Sequence, residues 1–336
     1  MVLSSLPSTD NATSVDLATL IALRQEAGRL PIAPRGKVLA TRSGGHLSRF
    51  RGRGMEFDES RVYMPGDDPR NMDWRVTARA AQPHVKLFRE ERERPVWLLV
   101  DMGPRMRFGT RIAFKSVIAA RAAALLAWAA ADKGDRVGGL VFDERGQFER
   151  RPAARTRGLL PLLNALADAS RADALPGITN GTPAAFRAPP APPSAAHSVS
   201  TLSVAGRHLV HLVRPGSLVF LISDFAGFGD EDGAWLAHLG AGSELVLVHT
   251  YDPLETAAPP AGRYPVTDGV QRAVLDCAVS RLRSAWSQRF ADHVALLEAM
   301  CLRHRAHLIS LRTDQPVGES LSAGLQPRRA RAGGIR

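Results

Sequence analysis

The sequence predicts an α/β protein: a doubly wound, mostly parallel sheet preceded by a small Arg/Gly/Asp-rich subdomain with β-structure as one option. Three observations lead there. Continuous apolar runs that end in an acid, Pro95–Asp101 (PVWLLVD) and Ser217–Asp224 (SLVFLISD), suit strands buried on both faces of a parallel sheet. Helical patterns separate these runs, as crossover connections require. Before Pro95 the chain reads differently, with dense turn punctuation and few long apolar runs.

Residues 1–34 form a polar tail and one short helix. Leu17, Leu20, Ile21 and Leu23 share a face, and Gly28 follows as a C-cap. Residues 35–94 form the irregular subdomain. From Pro95 onward, strand 95–101 leads into an Ala-rich helix, about 112–133, closed by Gly134. Its run Ala119–Ala131 is apolar apart from Arg121 and too short to span a membrane, so it is expected to be a buried helix. A strand over 135–142 turns at Gly146 into a second, 147–151, and a helix over 157–169 follows. Residues 172–199 hold Pro176, Pro183, Pro189, Pro190, Pro192 and Pro193 among Ala and Ser, and read as a flexible excursion inside the domain. Helix 200–213, strand 217–224, helix 230–239 and strand 244–252 come next. A hairpin-like piece over 262–275, a long helix over 277–304 and a strand over 307–312 complete the domain at 315. A basic tail, 316–336, ends the chain.

Of the 336 residues, 44 are Lys or Arg and 33 are Asp or Glu, for a net charge of +11. The basic excess invites an acidic partner. Nucleic acid is not expected, because no zinc finger, RNP pattern or long basic helix appears. The stretch Arg35–Arg53 contains one aromatic, Phe50, which gives base stacking little support. Two cysteines, Cys277 and Cys301, make no disulfide framework and fit a reducing compartment. No apolar run approaches ~18 residues and no signal pattern opens the chain, so no membrane span is expected and the location reads as cytoplasmic. The P-loop, the dinucleotide-binding glycine pattern, the G-x-S-x-G elbow and H-E-x-x-H are absent.

One segment is distinctive. Gly52-Arg53-Gly54-Met55-Glu56-Phe57, Arg61-Val62-Tyr63 and Pro65-Gly66-Asp67-Asp68-Pro69-Arg70-Asn71-Met72-Asp73-Trp74 run on to Thr77-Ala78-Arg79, Lys86 and the charged run 90–94. This pattern resembles the signature of the bacterial domain-of-unknown-function 58 family, and the resemblance extends over about residues 35–315. It implies that the second part is a von Willebrand A-like, Rossmann-type domain. It also implies a MoxR-type AAA+ ATPase as partner, in assembly or maturation of other proteins, without a settled molecular activity.

A-type domains of this kind commonly hold Mg²⁺ through Asp-x-Ser-x-Ser after the first strand, a Thr from another loop and a later Asp, because a hard cation needs oxygen ligands. Here the first motif reads Asp101-Met102-Gly103-Pro104-Arg105, so both hydroxyls are gone. Asp224 matches the later Asp and Thr156 loosely matches the Thr. Arg105 is expected to pair with Asp101 or Asp224 and take the place of the metal, leaving a degenerate site with no cofactor. The alternatives are Mg²⁺ binding there, or helix capping by the two aspartates.

In the signature loop, Asp67, Asp68 and Asp73 lie beside Arg61, Arg70 and Arg75. These acids are read as satisfying turn amides and bridging to arginines, with Trp74 anchored in the core. Cys301-x-x-His304-x-x-His307 drifts around a helix and completes no tetrahedral site. His249, inside a strand, reads as a hydrogen-bonded core residue. The resulting expectation is a non-enzymatic adaptor that uses Asp101, Arg105, Asp224, Asp67, Asp68, Arg70 and Asp73 to meet its partner. A metal-dependent adhesion module and a hydrolase using the signature acids are the alternatives.

Overall fold

A computed structural model describes residues 12–32, 55–65, 67–90, 94–154, 156–171, 201–267 and 272–326. The basic stretch 35–53, the Pro/Ala-rich segment 172–199 and the last ten residues lie outside the described residues. The chain divides into two units, residues 40–93 and the rest.

The smaller unit is built on a hairpin of β1 (Met55–Val62) and β2 (His84–Glu90), antiparallel from Met55↔Glu90 to Val62↔His84. Between them, α3 (Trp74–Ala80) starts at Asp73, whose carboxylate accepts from the amides of Arg75 and Val76. This side-chain cap satisfies donors that the first helical turn leaves open. Ala81 ends the helix in the left-handed region, φ 53°.

The larger unit is a six-stranded sheet in the order β10-β7-β6-β3-β4-β5. Its strands are β3 (Pro95–Asp101), β4 (Arg136–Phe142), β5 (Gln147–Ala153), β6 (Leu218–Ser223), β7 (Glu244–Tyr251) and β10 (His307–Arg312). All neighbours pair in parallel except β4 and β5, which form a hairpin. The continuous apolar runs are explained by two separate cores, one on each face. Val96, Leu98 and Val100 point into one, and Trp97 and Leu99 into the other.

On the first face lies α4 (Lys115–Asp132), with 15 of its 18 residues buried because α5 (Thr156–Ser170), the N-terminal helices and the C-terminal helix enclose it. On the second face lie α6 (Thr201–Leu212), α7 (Gly233–Gly242) and α9 (Ser280–His304). A short helix, α8 (Pro253–Thr256), and the β8–β9 hairpin (Arg263–Thr267, Arg272–Asp276) connect β7 to α9.

Both ends of the chain differ from the expected tails. The N-terminal helix is two pieces, α1 (Leu17–Ala22) and α2 (Arg24–Ala27), with Leu20 and Ala27 fully buried; Trp128 of α4 donates its indole N–H to Leu20 O at 3.0 Å. Residues 317–325 are not tail but a helix, α10 (Val317–Leu325), whose Leu321 is fully buried. Apolar Val317, Leu321 and Leu325 repeat at helical spacing there. The arginines beyond 327 obscure that pattern in the composition.

Candidate functional site

Chain direction sets the site. From β3 the chain crosses the first face through α4 to β4; from β6 it crosses the second face through α7 to β7. Neighbouring strands that depart to opposite faces leave a crevice at their carboxyl ends. The pairing Val100↔Ile222 sets Asp101 beside Ser223 at that point.

Asp101 is buried. Its Oδ2 accepts from Ser223 Oγ at 2.7 Å and its Oδ1 from the Gly103 amide at 2.9 Å. Burial, with a smaller push from the Asp224 charge, raises its carboxyl to about 6. Asp224 Oδ1 accepts from the Ala226 amide, 2.9 Å, and its backbone carbonyl accepts from His293 Nε2, 2.9 Å. Phe225, next in line, is fully buried in the left-handed region, φ 53°. Such a conformation costs a bulky side chain on the order of 1–3 kcal/mol and is held by the surrounding packing.

The cation in this crevice is Lys115, the first residue of α4. Only 2% exposed, its Nζ lies 2.8 Å from both Asp224 Oδ2 and Glu255 Oε1. Burial alone would lower the ammonium and raise Asp224, but the ion pairs outweigh it. Lys115 is held above its ordinary value and Asp224 below its own. Glu255 continues the network through its Oε2, which accepts from the Asp252 amide at 2.7 Å. Asp252, fully buried, accepts from Thr110 Oγ1 (2.5 Å), Thr313 Oγ1 (2.6 Å) and the amides of Thr110 and Leu254. Two hydrogen-bonded sets, Asp101 with Ser223 and Lys115 through Asp252, thus meet at consecutive residues Ser223 and Asp224 and gather the ends of β3, β6, β7 and β10.

Arg105 does not pair with either aspartate. It is exposed on the one-turn 3-10 helix Pro104–Met106, near enough to act on Asp224 through its field only. Thr156 is not at the site at all. Val137↔Ala153 places the end of β5 at the start of β4, whereas Asp101 stands beside Phe142 at its other end. That is about a strand length away, ~17 Å. Gly103 contributes its amide, and a Cβ there would lie 3.1 Å from Asp101 Oδ1. A hard divalent cation would need the oxygens that Lys115 already holds, so the residues present do not fit a metal. Among the described residues, no group of three or more His, Cys, Asp or Glu is arranged to hold one.

Sequence reasoning missed Lys115, Ser223, Glu255, Asp252, Thr110 and Thr313. Only Lys115 left a trace: it is one of four lysines in a chain that otherwise uses Arg. His249 also departs from expectation. It is buried, with Nδ1 lacking a hydrogen-bond partner, and stacks on Tyr251 with ring centroids 5.3 Å apart. Burial, with His293 nearby, pushes it down to about 3, so it stays neutral.

In the smaller unit the signature acids build the loop. Asp67 accepts from the Met64 amide, 2.9 Å, and from Arg61 Nη2, 2.7 Å. Asp68 accepts from the Arg70 amide, 3.0 Å, and Asp73 also accepts from Ser60 Oγ, 2.7 Å. Hydrogen bonding, from the Met64 amide for Asp67 and from Ser60 for Asp73, holds both below the ordinary carboxylate range. Trp74 is not a core anchor. It is 70% exposed, because Asp73 caps the helix from inside and turns its next residue outward.

Fold and site define a mixed α/β protein with a buried polar cluster at the switch point of its sheet. The chain belongs to the family described as Protein of unknown function DUF58, whose model matches residues 59–296. It is 30% identical over 292 residues to the uncharacterized proteins Mb1516 of Mycobacterium bovis and Rv1480 of Mycobacterium tuberculosis, covering 85% of this chain and 83% of each relative. Among solved structures it is similar to the conserved hypothetical protein BatB from Bacteroides thetaiotaomicron, at 12% identity over 69% of this chain and 97% of that one. It is also similar to an aerotolerance-related membrane protein from Bacteroides fragilis, at 13% over 69% and 96%. Both TM-scores are 0.35, too low to carry an argument. No helix among the described residues is long and apolar enough to cross a membrane.

Proposed function

We propose that this chain is a non-enzymatic interaction module of von Willebrand A-like type, an adaptor for a MoxR-type AAA+ ATPase in the assembly or maturation of other proteins in the cytoplasm. The observation that carries the interaction reading is Trp74. A tryptophan held 70% exposed by a capped, hydrogen-bonded loop is the kind of rigid aromatic anchor that dominates protein interfaces. Arg70, Arg75 and Arg79 are exposed around it in sequence, while Asp67 and Asp73 are taken up in the loop. That leaves a basic rim suited to an acidic partner surface. Arg105, exposed beside the strand-end crevice, offers a second point of contact. The ATPase as partner rests on the family resemblance.

The other two readings have less support. A hydrolase needs a carboxyl free to exchange a proton near neutrality, whereas Asp67 and Asp73 are taken up in hydrogen bonds that hold them below the ordinary carboxylate range. An adhesion site that coordinates a partner's carboxylate through a metal needs the oxygens that Lys115 occupies.

The test is association of the purified protein with a MoxR-type AAA+ ATPase of the same organism, with and without ATP. Trp74→Ala should weaken binding at least about tenfold while leaving the thermal midpoint nearly unchanged, since the side chain packs on little. Absence of association in every nucleotide state would end the adaptor reading.

A further inference from the structure

We propose that the open edge of β10, together with α10, is a docking groove for an extended segment of a partner protein that carries a lysine or arginine and joins the sheet as a further strand. This surface lies in the larger unit and rests neither on Trp74 nor on the strand-end crevice.

The backbone makes the first part of the case. β10 ends the sheet, and its strand neighbour is β7 alone among the described residues. The Thr313 amide donates to Tyr251 O at 3.0 Å, one residue past the register pair Arg312↔Tyr251. In a parallel pair, alternate residues turn both N–H and C=O toward the neighbour, and those between turn theirs away. Ile309 and Leu311 therefore bond β7, while Leu308, Ser310 and Arg312 face the open edge. The Arg312 carbonyl is taken by the Gln315 amide at 3.2 Å. The N–H and C=O of Leu308 and Ser310 meet no described strand. A row of such groups is a template for another extended chain.

The two edges of the sheet are not treated alike. β5, at the opposite edge, carries Glu149, Arg150, Arg151 and Pro152 and pairs with β4 through an irregular register. Charge, proline and broken register are the devices that blunt an edge against pairing. β10 has no proline and an unbroken register with β7, and its one arginine, Arg312, is paired with Asp314.

Shape and charge define the occupant. A groove of about 560 Å³ is lined by His307–Ser310 of β10, by Pro316, and by Glu319, Ser320 and Ala323 at helical spacing on α10. Apart from Glu319 these helix residues are short, which leaves room for the alternate side chains of an added strand. Among the described residues lining the groove, Glu319 is the one carboxylate and none is Lys or Arg, although the chain as a whole carries +11. A basic side chain on the incoming segment meets Glu319; an acidic one is repelled. A second copy of β10 would bring only Arg312, already held by Asp314, so the charge pattern favours a different chain.

The full-length protein is panned against a phage-displayed library of random peptides of about eight residues, a typical strand length. Enriched sequences are synthesised with a fluorescent label and titrated by anisotropy. They are expected to carry Lys or Arg, and Glu319→Gln to weaken them about two- to fivefold. Ser310→Pro removes an amide that faces the open edge and no bond to β7, so the thermal midpoint should stay nearly unchanged. Binding should fall at least about tenfold. Should the proline variant not fold, a second measurement leaves the protein untouched: each peptide is made N-methylated at its even or at its odd amides. Only alternate amides of a strand face its neighbour, so one form should bind and the other lose at least about tenfold. Three results overturn the proposal. One is a library that yields no binding peptide. Another is a set of peptides that folded Ser310→Pro still binds, whether or not Trp74→Ala releases them, or that bind equally in both methylated forms. The third is a dimer in sedimentation that Ser310→Pro splits, which gives the edge to a second copy.

Discussion

Asp101→Asn isolates the electrostatic cost of the crevice. The Asp101 carboxyl stands at about 6 against an ordinary 3.8, chiefly because burial disfavours the charged form. At about 1.36 kcal/mol per pH unit, that displacement corresponds to about 3 kcal/mol of destabilisation when the group is ionised in both folded and unfolded chains. The sign follows from proton binding. Between 3.8 and about 6 the folded chain holds the proton more firmly, so acidification through this window relieves the cost, and above about 7 the cost is complete. Asparagine carries no charge and no such dependence. The wild-type curve alone does not isolate the effect, because Asp224, Asp67 and Asp73 have lowered carboxyls and lose stability as pH falls. The difference between wild type and variant does. Chemical denaturation of both proteins across about pH 4 to 7.5 should show the wild type gaining up to about 3 kcal/mol on the variant as pH falls. A difference that stays flat, or moves the other way, would refute the claim that burial governs Asp101.

Two further substitutions test the packing. In Gly158→Ala, the new Cβ would stand 2.0 Å from Val137 O and 2.8 Å from Ala153 O, both backbone atoms that cannot step aside. Stability measured by denaturant titration should fall by at least about 1–3 kcal/mol. In His249→Phe, a buried Nδ1 without a partner is replaced by carbon within a stack of Tyr251 and Phe290. The variant should be more stable by about 1 kcal/mol at neutral pH. It should also resist acid better: the depressed His249 contributes stability that is present above about 6.5 and lost as pH falls toward about 3.

Much of the sheet is readable from one dimension. Pro95–Asp101 is apolar at nearly every position because both faces of β3 meet a core, and that requirement is written in consecutive residues. The apolar run within α4 likewise announces its burial. The α10 helix is harder to see, since its three spaced apolar residues adjoin an arginine-rich end. In the signature loop, the capping roles of Asp67, Asp68 and Asp73 follow from local turn chemistry, but the direction of Trp74 does not. An aromatic after a turn looks like an anchor until the cap decides which side of the helix it occupies.

Composition and spacing by themselves determined the α/β class, the strand-ending positions of Asp101 and Asp224, and the family, because each depends on neighbours within a few residues. Only the tertiary structure decided which cation meets Asp224. Arg105 is close to Asp101 in sequence yet faces solvent, while Lys115 reaches across 109 positions to Asp224 and 140 to Glu255. Thr156, a loose match to the family's threonine, falls at the opposite end of the sheet because β5 runs antiparallel to β4. Strand order and chain direction fix which loops converge, and those are set by the burial of two whole faces rather than by any pattern near the site.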